Sequence, residues 1–367
     1  MPVKVSLYEK DDWFDLIEKE DSCFILSNKS GREIKINTPL KLDSNFRDKD
    51  FEVYFLAKKN VKENEIYQVY RKRTDSRIGW IIPVLSFDSA LHDFADNEHF
   101  LRYAYVGIRE SLKSLTSKVH SKTLMNDTLE CKLSEIFHEE TVLLILSKET
   151  YKDDFVFEID RAIPSLIKHG YISLKERDPG EIKHQAAPPE GPKLYIEEIV
   201  SSLDNCSLIA ELMSSLYAYE EKPIFRFFYL YQIFELLIDG IYKNEQEVLI
   251  QELIDSKGDS GRTKDALDKM QQFMSEKKRL GLLINEYTGV QSELTNLKSI
   301  CNDLLMDLGR DKSDNFESYF YKIRNFIFHQ YRDFPDHSIQ MLDSVVDEVV
   351  SLMPVILGRY KVPHNVR

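Results

Sequence analysis

Between residues 316 and 332 the chain concentrates five side chains that could handle a phosphodiester: Tyr321, Arg324, Asn325, His329 and Arg332. A neutral His329 can accept the proton of a ribose 2′-hydroxyl, and its protonated form can donate to a leaving oxygen, because histidine titrates near neutral pH. Arg324 offers paired donors to charge building on phosphoryl oxygens. Asn325 can hold the histidine tautomer or contact the phosphate, while Tyr321 and Arg332 border the group. This chemistry needs no metal and no cofactor, and no nearby carboxylate cluster stands ready to bind a metal.

A helix would bring these groups together. On a helical wheel Phe316, Phe320, Ile323 and Ile327 form a buried stripe. Tyr321, Asn325, His329 and Arg332 fall on a different face, which Arg324 flanks. With Lys322, Arg324 and Arg332 against Glu317, the segment carries a local charge of +2. Asp314 and Glu317 resemble a capping pair opening this helix, which is expected to run to about Arg332. Pro335 closes it, and Asp336 caps a last helix ending near Tyr360.

Upstream, helical periodicity predicts helices over 195–217, 222–242, 246–254, 264–280 and 290–308, with the loop 255–261 among them. Long amphipathic helices with short connections make an all-α bundle. The aromatic run Phe225, Phe227, Phe228, Tyr229, Tyr231 and Phe234 reads as core rather than as a base-stacking platform.

The string Tyr321-Lys322-Ile323-Arg324-Asn325-Phe326-Ile327-Phe328-His329, on a late helix of such a bundle, resembles the RxxxxH motif of the HEPN superfamily. The segment from Arg226 to Leu237 is similar to the second helix of HEPN domains in abortive-infection proteins, and Glu235 falls where such domains often keep an acidic residue. The resemblance covers residues 195–367 and implies a homodimer formed by this domain, with two motifs facing each other. It implies a metal-independent endoribonuclease that leaves 2′,3′-cyclic phosphate ends on an RNA substrate. Relatives of this kind act as toxins or in phage defence, so an antitoxin or an unknown trigger is an expected partner. The stretch 245–309 is longer than a minimal bundle needs and is expected to be an insertion. Other readings stand beside this one. The domain can be a non-catalytic dimerisation or RNA-binding module. The Arg-x4-His pair can also be a chance occurrence, with Arg324 in a surface ion pair and His329 capping or packing near a helix end. Glu235 can be a buried carboxylate paired with Arg226 or with a motif residue.

The rest of the chain sets the frame. Its 367 residues are too many for one ordinary core, so two or three domains are expected. Three prolines and a glycine within 185–192 cannot continue a helix or a central strand. The expected division is therefore a mixed α+β domain over 1–184, a proline-rich linker over 185–193 and the helical domain over 194–367. In the first part, 22–37 reads as a hairpin turning at Asn28-Lys29-Ser30-Gly31, and 51–57, 79–87, 141–146 and 155–159 as strands. Residues 100–119 and 162–168 read as helices.

The net charge of −13 excludes a general nucleic-acid coat, since phosphate contacts need concentrated Lys and Arg. Residues 1–193 carry 30 basic and 34 acidic side chains, and the remainder 19 and 28, net −4 and −9. Any RNA must then be met by a local patch such as the one above. Arg71-Lys72-Arg73 and Lys277-Lys278-Arg279 read as solvated charges, and the loop at Gly258 lacks the spacing and lysine of a phosphate loop. Cys23, Cys131, Cys206 and Cys301 show no metal or disulfide spacing and read as reduced thiols. With no signal-peptide pattern and no apolar run long enough for a bilayer, a cytoplasmic protein without membrane contact is expected. The N-terminal domain is then a candidate sensor or regulator.

Overall fold

The computed structural model describes residues 3–7, 11–18, 24–46, 50–113, 122–150, 156–174 and 177–361. An α+β region is followed by an all-helical region. The chain divides into two compact units, one of residues 1–159 and 169–196, the other of 160–168 and 197–367.

The first unit holds two sheets. Strands β1 (Val3–Ser6), β2 (Asp11–Glu18), β3 (Phe24–Asn28) and β4 (Glu33–Asn37) form an antiparallel meander. The β3–β4 hairpin is the expected one: Gly31 takes φ +83° in the turn, and Asn28 Oδ1 accepts from the backbone of Ser30 and Arg32. The second sheet contains β5 (Phe51–Ala57), β6 (Tyr67–Arg71) and β7 (Ser76–Pro83). Helix α1 (Glu98–Lys113) follows, and residues 114–121 of the expected 100–119 helix lie outside the described residues. Strand β8 (Glu130–Lys132) adds in parallel to β4, and β9 (Thr141–Ser147) joins the second sheet. The apolar side chains of α1, with Trp80 and Ile82 of β7 and Leu143 and Ile145 of β9, make the core of this unit.

Helix α2 (Ile159–Lys168) belongs, from residue 160 on, to the second unit. The strand expected at 155–159 is absent from its described part: 156–158 form no regular element, and Ile159 already begins α2. The chain then returns to the second sheet through β10 (Ile172–Ser173) and β11 (Lys193–Ile196), giving the order β10-β5-β9-β7-β6-β11. The proline-rich stretch has no regular structure, as expected, but the Pro192 carbonyl accepts from Gln68 and Lys193 opens β11. The change of unit thus falls at 197 rather than at 194.

In the helical unit the expected single helix over 195–217 does not occur. Tyr195 lies in β11, and the helix is confined to α3 (Cys206–Glu211), extended by a wider turn over Leu212–Leu216. The segments 222–242 and 246–254 are one helix, α4 (Pro223–Asp255), with proline at its first turn where no amide donor is needed. Next come α5 (Ser260–Phe273), α6 (Glu276–Leu282), α7 (Thr295–Asp307), α8 (Phe316–His329) and α9 (Ile339–Arg359). Helices α4 and α8 are joined by an aromatic cluster. Phe320 packs with ring centroids 4.9 Å from Phe234, 5.5 Å from Phe227 and 4.9 Å from Phe316.

Candidate functional site

The buried stripe of α8 is the one read from the wheel: Phe316, Phe320, Ile323 and Ile327 are all buried, together with Tyr319 and Phe326. The polar residues are thereby turned outward. The helix ends at His329, earlier than expected, and Arg332 lies in the short helical turn Tyr331–Asp333 beyond it.

Two groups of side chains result. Asn325 and His329, one turn apart, open onto a cleft of about 410 Å³ shared with Arg310, Asp311, Lys322, Phe326 and Gln330. His329 is exposed, and Asn325 is half-buried. Arg310 donates to Gln330 Oε1 at 3.0 Å and lies over the Phe326 ring. Lys322 Nζ donates to the Asp311 carbonyl at 2.9 Å and to Ser313 Oγ at 2.7 Å. These bonds pin the two cations along the cleft wall.

Arg324 belongs to the second group. A spacing of five residues places it on another side of the helix from His329. Its Nη2 lies 3.6 Å from Glu235 Oε1 and 3.5 Å from Glu276 Oε2, and its side chain is only 15% exposed. The guanidinium also sits 4.7 Å from the centroid of Phe328 and 5.4 Å from that of Tyr231. Tyr231 donates its hydroxyl to Glu276 Oε1. Burial, and then that hydrogen bond, push the Tyr231 phenol far above its ordinary value, so it stays a donor. Glu235 also accepts from Gln232 at 2.8 Å. One bond joins the two groups: Arg324 Nη1 donates to Asn325 Oδ1 at 3.0 Å. With its oxygen so occupied, Asn325 keeps Nδ2 as a donor.

The expected site residues are therefore divided. Asn325 and His329 meet in the cleft, while Arg324, Glu235 and Tyr321 lie together on the adjoining face, Tyr321 with its ring 5.9 Å from the Arg324 guanidinium. Arg332 is exposed past the helix end, with no ion pair among the described residues. Glu235 pairs with a motif residue, as one reading allowed. Arg226 instead bonds the Glu220 carbonyl at 2.7 Å and Asp343 at 3.3 Å.

Sequence reasoning missed Glu276, Tyr231, Arg310 and Lys322 as members of the site. Lys322 had a signal, its place inside the motif string. Glu276 and Arg310 had none, because only tertiary packing brings them to α8. The aromatic run divides as well: Phe227, Tyr231 and Phe234 are buried as expected, but Phe225 and Phe228 are 40% and 39% exposed. Of the four cysteines, Cys131, Cys206 and Cys301 are free and buried, and Cys23 lies outside the described residues. Among the described residues no helix is long and apolar enough to cross a membrane, and no three His, Cys, Asp or Glu side chains are grouped as a metal ion would require. Neither a protein-family model, nor a curated protein, nor a solved structure gives a match to this chain.

Proposed function

We propose that the helical unit is a HEPN-type, metal-independent endoribonuclease acting in the cytoplasm as a homodimer, in a toxin or phage-defence role. The observation that carries this reading is the open cleft at the end of α8, where His329 and Asn325 share a wall with Arg310 and Lys322. A phosphate seated there meets two cations, an amide donor and the exposed imidazole of His329. The 2′-oxygen attacks phosphorus as its proton passes to a histidine, and the bond to the 5′-oxygen breaks as that oxygen takes a proton. The products are a 2′,3′-cyclic phosphate and a 5′-hydroxyl. Base and acid are two imidazoles, which a dimer with facing motifs supplies as two copies of His329. Arg324 serves as a positioning residue, holding the Asn325 amide through its Nη1 bond.

A second reading, a non-catalytic dimerisation or RNA-binding module, draws support from the engagement of Arg324 by two carboxylates and two aromatic rings. One experiment separates them. Wild type, His329→Ala and Arg324→Ala, each checked for folding by circular dichroism, are incubated with total RNA in EDTA, and new ends are assayed for cyclic phosphate. Cleavage by wild type that His329→Ala abolishes supports the nuclease. Equal cleavage by all three puts any activity elsewhere, and cellular effects that survive both substitutions favour the module.

The N-terminal unit is proposed to sense the trigger. Cutting the chain at the proline-rich stretch is an unsuitable test, because it would remove residues 160–168 from the helical unit. Regulation has to be probed by substitution in the full chain.

A further inference from the structure

We infer that the RNA taken by this site is single-stranded and is held by base stacking on an aromatic platform formed by Phe225, Phe228 and Tyr331. The inference rests on the nuclease reading for its ligand, but its own observations are independent of catalysis. Among the described residues of the helical unit, these three are the aromatic side chains exposed by more than a third, at 40%, 39% and 47%. They come from the start of α4 and from the turn after α8, yet they converge. Phe225 lies 6.5 Å from Tyr331, and Phe228 stacks on Phe328 at 5.4 Å with an interplanar angle of 29°. Phe328 is backed edge-on by buried Tyr231 at 5.7 Å, so the platform is braced from beneath.

Charge identifies the occupant. Lys222 Nζ lies 5.9 Å from the Phe225 ring, and exposed Arg332 adjoins Tyr331 in sequence. Flat rings edged by cations suit unstacked bases joined by phosphates. His329, which lines the cleft, follows Phe328 directly in sequence and stands two residues before Tyr331. On this inference a strand stacked on the rings continues past the imidazole into the cleft. Bases of a duplex already stack on each other and cannot use the platform.

The test measures binding of a fluorescein-labelled short oligouridine by anisotropy in EDTA, using the full-length His329→Ala protein so that cleavage does not intervene. Adding Phe225→Ala and Phe228→Ala should weaken binding about tenfold or more, since each base–aromatic stack is a sizeable share of such affinity. Phe225→Tyr with Phe228→Tyr, which keeps the rings, should bind like the parent. The same oligomer annealed into a duplex should compete poorly. No binding by the parent protein, or unchanged affinity in the alanine variant, overturns the inference. So does an alanine variant that loses self-association in sedimentation while its monomer binds RNA as before, because the patch is then covered by a second copy. The two proposals fail separately: binding without cleavage by wild type defeats the nuclease alone, and cleavage with unaltered KM in the alanine variant defeats the platform alone.

Discussion

Glu276 Oε2 lies 3.5 Å from Arg324 Nη2, and the other oxygen of the same carboxylate accepts the Tyr231 hydroxyl. A residue at the start of α6 thus ties the motif helix α8 to α4. Glu276→Gln would leave a mostly buried guanidinium with Glu235 alone, and Tyr231 with a neutral acceptor. Losing one charged partner in such a place costs about 1–3 kcal/mol, read as a lower urea midpoint. Glu235→Gln should cost less, because Glu235 is 36% exposed and its distance to Arg324 is longer, 3.6 Å. Equal losses for the two variants would contradict this ranking.

Phe320 is the ring that α4 and α8 share, 1% exposed and in contact with Phe227, Phe234 and Phe316. Phe320→Ala removes it from three neighbours at once and should cost roughly 3–5 kcal/mol, with Phe320→Leu losing clearly less. Calorimetry reads both. If the alanine variant melts within a degree or two of wild type, the cluster does not hold the two helices together.

What was legible in the sequence followed from periodicity and punctuation. The stripe on α8 was readable because apolar residues recur there at helical spacing, and the β3–β4 hairpin because alternation flanks a turn ending in Gly31. Residues 195 and 196 of β11 fall inside the helix expected over 195–217, since four residues alternating exposed and buried are too short to separate the two periods. The expected helices over 222–242 and 246–254 divide α4, although Lys243, Asn244 and Glu245 contain no helix breaker. They continue the helix, and Asn244 donates to the Tyr287 hydroxyl at 3.0 Å. The motif residues were readable, but their division between the cleft and the acidic face was not. Glu276 and Arg310 approach α8 only through the tertiary fold, and such pairings leave no local pattern.

His92 bears on pH dependence. It is 6% exposed and edge-on to Phe100. Its Nε2 donates to the Ser86 carbonyl at 3.1 Å, and its Nδ1 accepts from the Phe94 amide at 3.2 Å, so the neutral ring is the one that fits. Burial lowers its pKa from the ordinary 6.5, against the Ser86 bond and the charges of Glu63 and Asp93, which pull it up. The unfolded chain therefore takes the proton first. Stability contributed by His92 is complete above 6.5 and is lost as pH falls through that value toward the folded one. Urea titrations should show wild type weakening on acidification from neutral pH more steeply than His92→Gln. Parallel curves would assign the slope to another group.

Gly79 offers a way to disturb the N-terminal unit in place. It lies in β7 beside a shift in register against β6, and a Cβ there would fall 2.1 Å from the Ile145 carbonyl oxygen of β9. That atom is backbone in a central strand and cannot give way without breaking the sheet. Gly79→Ala should cost upward of about 3 kcal/mol, most of it in the first unit. If that unit restrains a nuclease, the variant should be more toxic to cells than wild type, and adding His329→Ala should remove the toxicity. A folded, fully soluble Gly79→Ala protein would contradict the packing argument. A disrupted protein with unchanged toxicity would remove the N-terminal unit as regulator.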